Sequence, residues 1–150
     1  MNSAINSILT LERTVKSAPA SSKKKVLEYL GSFIADHIPE SSADDIYERL
    51  LNRERMGSTG IGEGIAIPHC RLKQCDKTVG VLLQLEEAID FDAIDQKPVD
   101  LIFALLVPEE ATDEHLKTLS MLAQKLSQAD YREALRNSPD SQNLYQKAIS

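Results

Sequence analysis

Val99-Asp-Leu-Ile-Phe-Ala-Leu-Leu-Val107 carries one polar residue, Asp100, in an otherwise apolar run. Apolar side chains at both parities leave neither face for water, so the run predicts a central strand covered on both sides. Such a strand needs helices above and below its sheet. Pro108, with fixed φ and no N–H, ends it. Upstream, Thr78–Leu85 and the short Gly64–Ile67 read as further strands, joined to the central one by a polar connection over 86–98.

The helices follow from spacing. Val26, Leu30, Phe33, Ile34 and His37 recur at three- and four-residue intervals, predicting a helix from about Ser22 to His37, closed by Pro39. Ser42, followed by Asp44 and Asp45, is a suitable N-cap for a second helix running to about Met56, where Gly57 stops it. A third is expected from Thr112 to Ser127 with His115, Leu119, Leu122 and Leu126 facing inward. Two short ones are expected over 130–137 and 141–149. The first 21 residues are weakly patterned, with a helical turn around Ser3–Leu9 and an extended piece at Arg13–Lys16. The sum is one α/β domain over residues 1–150.

Composition limits the function. The chain is 42% apolar and 27% charged with a net charge of −6, which disfavours nucleic acid and anionic membranes as partners. No apolar run approaches the roughly 18 residues of a membrane helix, and Met1-Asn-Ser-Ala-Ile is no signal peptide. Cys70 and Cys75 lie too close together to staple a fold. A cytoplasmic chain is expected.

The chemistry concentrates in Arg53-Glu-Arg-Met-Gly-Ser-Thr-Gly-Ile-Gly-Glu63-Gly-Ile-Ala-Ile-Pro-His69-Cys-Arg71. Four of the six glycines (57, 60, 62 and 64) fall here, marking backbone that needs positive φ or close approach. Pro68 is expected to end the strand's ladder and fix His69 at the mouth of a glycine-lined hollow. Helical geometry separates two arginines. Arg53 lies about 700° beyond Ile46 and so faces inward, whereas Arg55 lies about 900° beyond and faces out. An inward guanidinium must be paired or must line a polar site. Glu63 is one candidate partner and an anionic ligand the other. His115 is either a core-edge histidine bonded to backbone or a neutral imidazole donating to an anion at a helix N-terminus. His37 reads as a helix-end histidine.

If Arg53, Glu63, His69 and His115 converge, phosphoryl transfer through a nucleophilic imidazole fits them best. A zinc site from His69, Cys70, Cys75 and His115 lacks paired-ligand spacing. Cys70 as a nucleophile beside His69 fails because adjacent residues on a strand point apart. The glycines match neither a P-loop nor a dinucleotide fingerprint. No metal or cofactor is expected.

Leu50 to His69 closely resembles the active-site segment of the mannitol/fructose-type IIA domains of the bacterial sugar phosphotransferase system. Met56-Gly-Ser-Thr-Gly-Ile-Gly62 and a chain of one domain place the likeness in the nitrogen-regulatory branch, and Lys97-Pro98-Val99-Asp100-Leu101 extends it. The resemblance implies an α/β fold, a mixed sheet flanked by helices on both faces. It implies that His69 is phosphorylated on Nε2 by an HPr-like phosphocarrier (NPr), itself loaded from phosphoenolpyruvate through enzyme I. It further implies that Arg53 binds the phosphoryl group, that His115 lines the same site, and that Glu63 matches a position acidic in some members. In that branch the regulated partners include potassium-transport and sensor-kinase components. A transport component passing phosphate to a IIB protein is the alternative. The partner surface expected here is the rim of Ser58, Thr59, Ile61 and Arg71. Cys70 departs from the glycine common beside the active histidine and offers a thiol that oxidation could modify.

Overall fold

The computed structural model describes residues 3–110 and 113–150, without the side chains of residues 3, 4, 114 and 115. Its centre is the predicted strand, β6 (Val99–Pro108), buried along almost its whole length. One neighbour is antiparallel β5 (Val79–Ile89), and β1 (Thr14–Ala18) lies parallel beyond it. The other side of β6 pairs in parallel with β3 (Ile65–Ala66) and β4 (His69–Leu72). A hairpin partner, β2 (Gly60–Gly62), lies antiparallel against β3. The sheet is therefore mixed, in the order β1-β5-β6-β3-β2, with β4 also on β6.

Alternation along β6 divides the core. Ile102, Ala104 and Leu106 join one cluster with Val26, Leu30 and Ile34 of α2 (Lys23–Ala35) and Ile46 and Leu50 of α3 (Ala43–Arg55). Leu101, Phe103 and Leu105 join the opposite cluster, beneath α1 (Ser3–Asn6), α4 (Asp113–Leu126), α5 (Ala129–Arg136) and α6 (Ser141–Ile149). Both faces are covered, as the doubly apolar run requires. Ser22 and Ser42 cap α2 and α3, accepting from the backbone N–H of Lys25 and Asp45. The expected start of the third helix at Thr112 lies outside the described residues.

Two expectations are corrected. The chain does not leave the sheet at Pro68. Partner numbers on β6 differ by 36 both before it (Ile65 with Leu101) and after it (His69 with Leu105). β3 and β4 thus follow one line in a single register along β6, interrupted only at Ile67-Pro68. Pro68 still accepts from Leu105 N–H at 2.9 Å through its carbonyl; its nitrogen faces β6 on the same side, so one ladder bond is missing there and the pairing resumes at His69. Nor do the glycines line a hollow beside His69. Gly57 closes the end of α3, and Gly60, Gly62 and Gly64 build the β2–β3 hairpin, on which the 90–98 connection sits: a Cβ on Gly60 would strike Ala93, and Glu63 N–H donates to Asp95 at 2.9 Å. Phe91 of that connection is fully buried.

The candidate phosphoryl-acceptor site

α3 packs on β4 and brings its last two turns against His69. The helical arithmetic holds: Arg53 is half-buried and faces the histidine, while Arg55 is exposed. His69 is likewise half-buried. Its Nδ1 lies 2.9 Å from the Ile67 carbonyl oxygen, and its Nε2 lies 3.2 Å from Arg53 Nε. A carbonyl can only accept and a guanidinium Nε–H can only donate. The ring is therefore neutral, with the proton on Nδ1 and the lone pair on Nε2. Arg53 Nη1 also donates to the Gly57 carbonyl at 2.8 Å, which fixes the guanidinium over the ring.

The electrostatics agree with this tautomer. Burial pushes the His69 pKa down and the Arg53 charge lowers it further, against the Ile67 hydrogen bond and the Glu54 carboxylate, which raise it. At neutral pH the nucleophilic form dominates.

The His69–Arg53 pair forms a wall between two recesses. One, of about 370 Å³, is lined by Arg49, Asn52, Met56, Cys70 and Arg71. Arg49 donates to the Arg71 carbonyl at 3.1 Å and lies 3.5 Å from the Glu109 carboxylate, and Arg71 donates to the Glu109 carbonyl at 2.9 Å. This side is cationic and braced. The other recess, of about 180 Å³, is mostly apolar, with Ile61, Ile67, Leu119 and Ala123 in its lining. Larger recesses of about 550 and 670 Å³ lie elsewhere and hold no histidine or arginine.

The other expected residues are distributed as follows. His115 is in the first turn of α4, the helix whose Leu119 and Ala123 line the smaller recess, and its side chain lies outside the described residues. Glu63 does not pair with Arg53. It sits at the turn of the hairpin at φ +58°, with its carboxylate 3.8 Å from Arg132 of α5. Closeness in sequence suggested the pairing, but the hairpin carries Glu63 to the α5 side. Of the expected rim, Ile61 and Arg71 are exposed and Ser58 is half-buried, donating to the Phe91 carbonyl at 2.8 Å. Thr59 is buried, bonded to Glu54 through both N–H and hydroxyl, so it is not rim. Cys70 packs into the α2–α3 core, where burial pushes its thiol up to about 12. A protonated buried thiol is a poor target for oxidation, which removes the redox role expected beside the histidine.

Sequence reasoning missed Arg49 and Glu54. Arg49 was legible as the residue one helical turn before Arg53 on the same face. Glu54 had a weaker signal, a carboxylate in the last turn of a helix, where the dipole disfavours negative charge.

Comparison with known proteins gives the family and the fold. Residues 7–149 match the model of the phosphoenolpyruvate-dependent sugar phosphotransferase system EIIA 2 family. A nitrogen regulatory protein of Pseudomonas aeruginosa is 49% identical over 145 residues, covering 97% of this chain and 94% of its own. The crystal structure of nitrogen regulatory protein IIA-Ntr from Neisseria meningitidis superposes with a TM-score of 0.90 at 41% identity, covering 97% of this chain and 99% of that one. IIA mannitol from Escherichia coli shares the fold, with a TM-score of 0.75 at 20% identity over 93% of this chain and 97% of its own. A chain with this fold, matched by the family model over nearly its full length and close in sequence to nitrogen regulatory proteins, belongs to the EIIA 2 family of the phosphoenolpyruvate-dependent sugar phosphotransferase system.

Proposed function

We propose that this chain accepts a phosphoryl group on Nε2 of His69 from an HPr-like phosphocarrier and regulates target proteins according to its phosphorylation state. The observation that carries the reading is the ring's fixed tautomer: the Ile67 carbonyl holds the Nδ1 proton, and the Nε2 lone pair faces Arg53. In the step, that lone pair bonds to phosphorus as the carrier's P–N bond breaks and its electron pair returns to the carrier imidazole. The proton stays on Nδ1, hydrogen-bonded to the Ile67 carbonyl, so no proton leaves His69. Arg53 swings from the lone pair to the phosphoryl oxygens, where a guanidinium fork offers charge and paired N–H donors. His115, from the first turn of α4, is assigned to the same group as a second donor.

The output rests on charge. Phosphorylation adds about two negative charges beside exposed Met56, Ile61 and Arg71, converting an apolar and cationic rim into an anionic one. A target that binds the first form is repelled by the second, as expected of a cytoplasmic regulator acting on transport or sensor-kinase components. A second reading is supported by the 34% identity, over 93% of this chain and 91% of the relative's, to a fructose-specific EIIA component of Haloferax volcanii: onward transfer to a IIB protein. Incubation with phosphoenolpyruvate, enzyme I and carrier tests the first step. The expected product is an acid-labile, base-stable phosphate on the native chain and none on His69→Gln. Retained labelling of that variant refutes His69. Rapid loss of the phosphate to an added IIB protein decides for transport over regulation.

A further inference from the structure

Glu54 is 7% exposed at the C-terminal end of α3, where the helix dipole disfavours a carboxylate. Its charge is met by Lys23 Nζ of α2 at 3.0 Å. Lys23 is itself held 5.0 Å from the centre of the Phe91 ring and 3.7 Å from Asp92. The remaining capacity of the carboxylate goes to one residue: Thr59 donates its N–H at 3.1 Å and its hydroxyl as well. The Thr59 carbonyl accepts from Ile67 N–H at 3.0 Å, and the Ile67 carbonyl accepts from His69 Nδ1–H at 2.9 Å. An uninterrupted run of polar contacts thus links an ion pair between two helices to the imidazole.

We propose that the buried Glu54 carboxylate, paired with half-buried Lys23, is the positioning group of the site, acting through Thr59 and the Ile67 backbone to hold the His69 ring with its Nδ1 protonated and Nε2 toward Arg53. The inference rests on Nε2 being the phosphoryl acceptor. Its physical need arises from the alternation of the strand. The Pro68 carbonyl faces β6, so the N–H and carbonyl of Ile67 face away from it: the N–H donates to the Thr59 carbonyl and the carbonyl accepts from the His69 ring, and the carbonyl that orients the ring is only as fixed as Thr59. A buried carboxylate with two bonds to that residue supplies the rigidity, and its own desolvation is offset by Lys23. None of the three side chains touches the phosphoryl group, so they are positioning residues.

The test uses the whole chain labelled with 15N at histidine. Long-range proton–nitrogen spectra separate the two neutral tautomers of His69, and single-turnover phosphorylation by loaded carrier gives kcat and KM. The variants are Thr59→Val, Thr59→Ser, Glu54→Gln and Lys23→Met, each verified as folded by its amide spectrum. We expect the native chain and Thr59→Ser to show only the Nδ1–H form. Thr59→Val and whichever of the Glu54 and Lys23 variants fold are expected to show both tautomers and lose about tenfold in kcat at unchanged KM. Native tautomer and native rate in folded Thr59→Val overturn the proposal. So does a loss confined to KM, or one without a tautomer change, since folding or docking then accounts for it. Failure of the native chain to take phosphate at position 69 refutes the acceptor assignment instead, and the spectra still decide whether the contacts set the ring.

Discussion

Removing the Arg53 guanidinium tests the site at its most exposed joint. Arg53 Nε lies 3.2 Å from the His69 lone pair, and its Nη1 is anchored 2.8 Å from the Gly57 carbonyl. A phosphoryl group on Nε2 takes the place of that contact and brings its oxygens within about 4 Å of the guanidinium. At that distance a unit charge pair is worth about 4 kcal/mol at an effective dielectric constant near 20. Arg53 is half-exposed, and solvent screening reduces this to about 2 kcal/mol. The same attraction acts on the charge in transit, so Arg53→Ala is expected to slow transfer about thirtyfold. Protonation does not confound the measurement above neutral pH, because burial, ahead of Arg53, holds the imidazole neutral. The assay is rapid-quench transfer from excess phosphorylated carrier at pH 7.5, followed by mobility shift. Arg53→Lys is expected to fall between the two, keeping the charge but losing the fork that serves Gly57 and His69 together. A folded Arg53→Ala variant that takes phosphate at the native rate under saturating carrier refutes the assignment.

Three other outcomes follow from separate parts of the molecule. Gly64 adopts φ +79°, and a Cβ there would strike the Arg136 guanidinium, which bonds Asp100 at 2.8 Å and the Glu63 carbonyl at 2.7 Å; Gly64→Ala should cost about 1–3 kcal/mol, measured by urea unfolding. The thiols of Cys70 and Cys75 are buried and pushed up to about 12 and about 11, so at pH 8 a disulfide reagent should label the native chain slowly and the unfolded chain at once. His69 is lowered in the folded state, so below about pH 6.5 the unfolded chain takes a proton that the folded chain refuses. The stability contributed by the neutral ring is full above that pH and lost as pH falls through the lowered folded value. The native Tm should therefore drop relative to His69→Gln between pH 7 and pH 5, and a constant difference would refute the buried neutral ring.

What was legible in the sequence is what a repeating geometry encodes. The phase of α3 placed Arg53 inward and Arg55 outward because both are measured from Ile46 on one rigid cylinder. The two-sided burial of β6 could be read from nine consecutive residues. The failures share a different cause. Pro68 looked like a terminator because its effect was judged on an isolated strand, whereas in the sheet the pairs that β6 makes on either side of it carry the register past one missing bond. Glu63 was matched to Arg53 by nearness along the chain, but the hairpin between them turns it toward Arg132. The carboxylate that does lie buried beside the site, Glu54, is adjacent to Arg53, and its burial is intelligible only once Lys23 arrives from α2, 31 residues earlier. Chemistry set by one element's period could be derived from sequence. Chemistry set by a meeting between elements, which here places the proton on Nδ1 and leaves the lone pair on Nε2, required the fold.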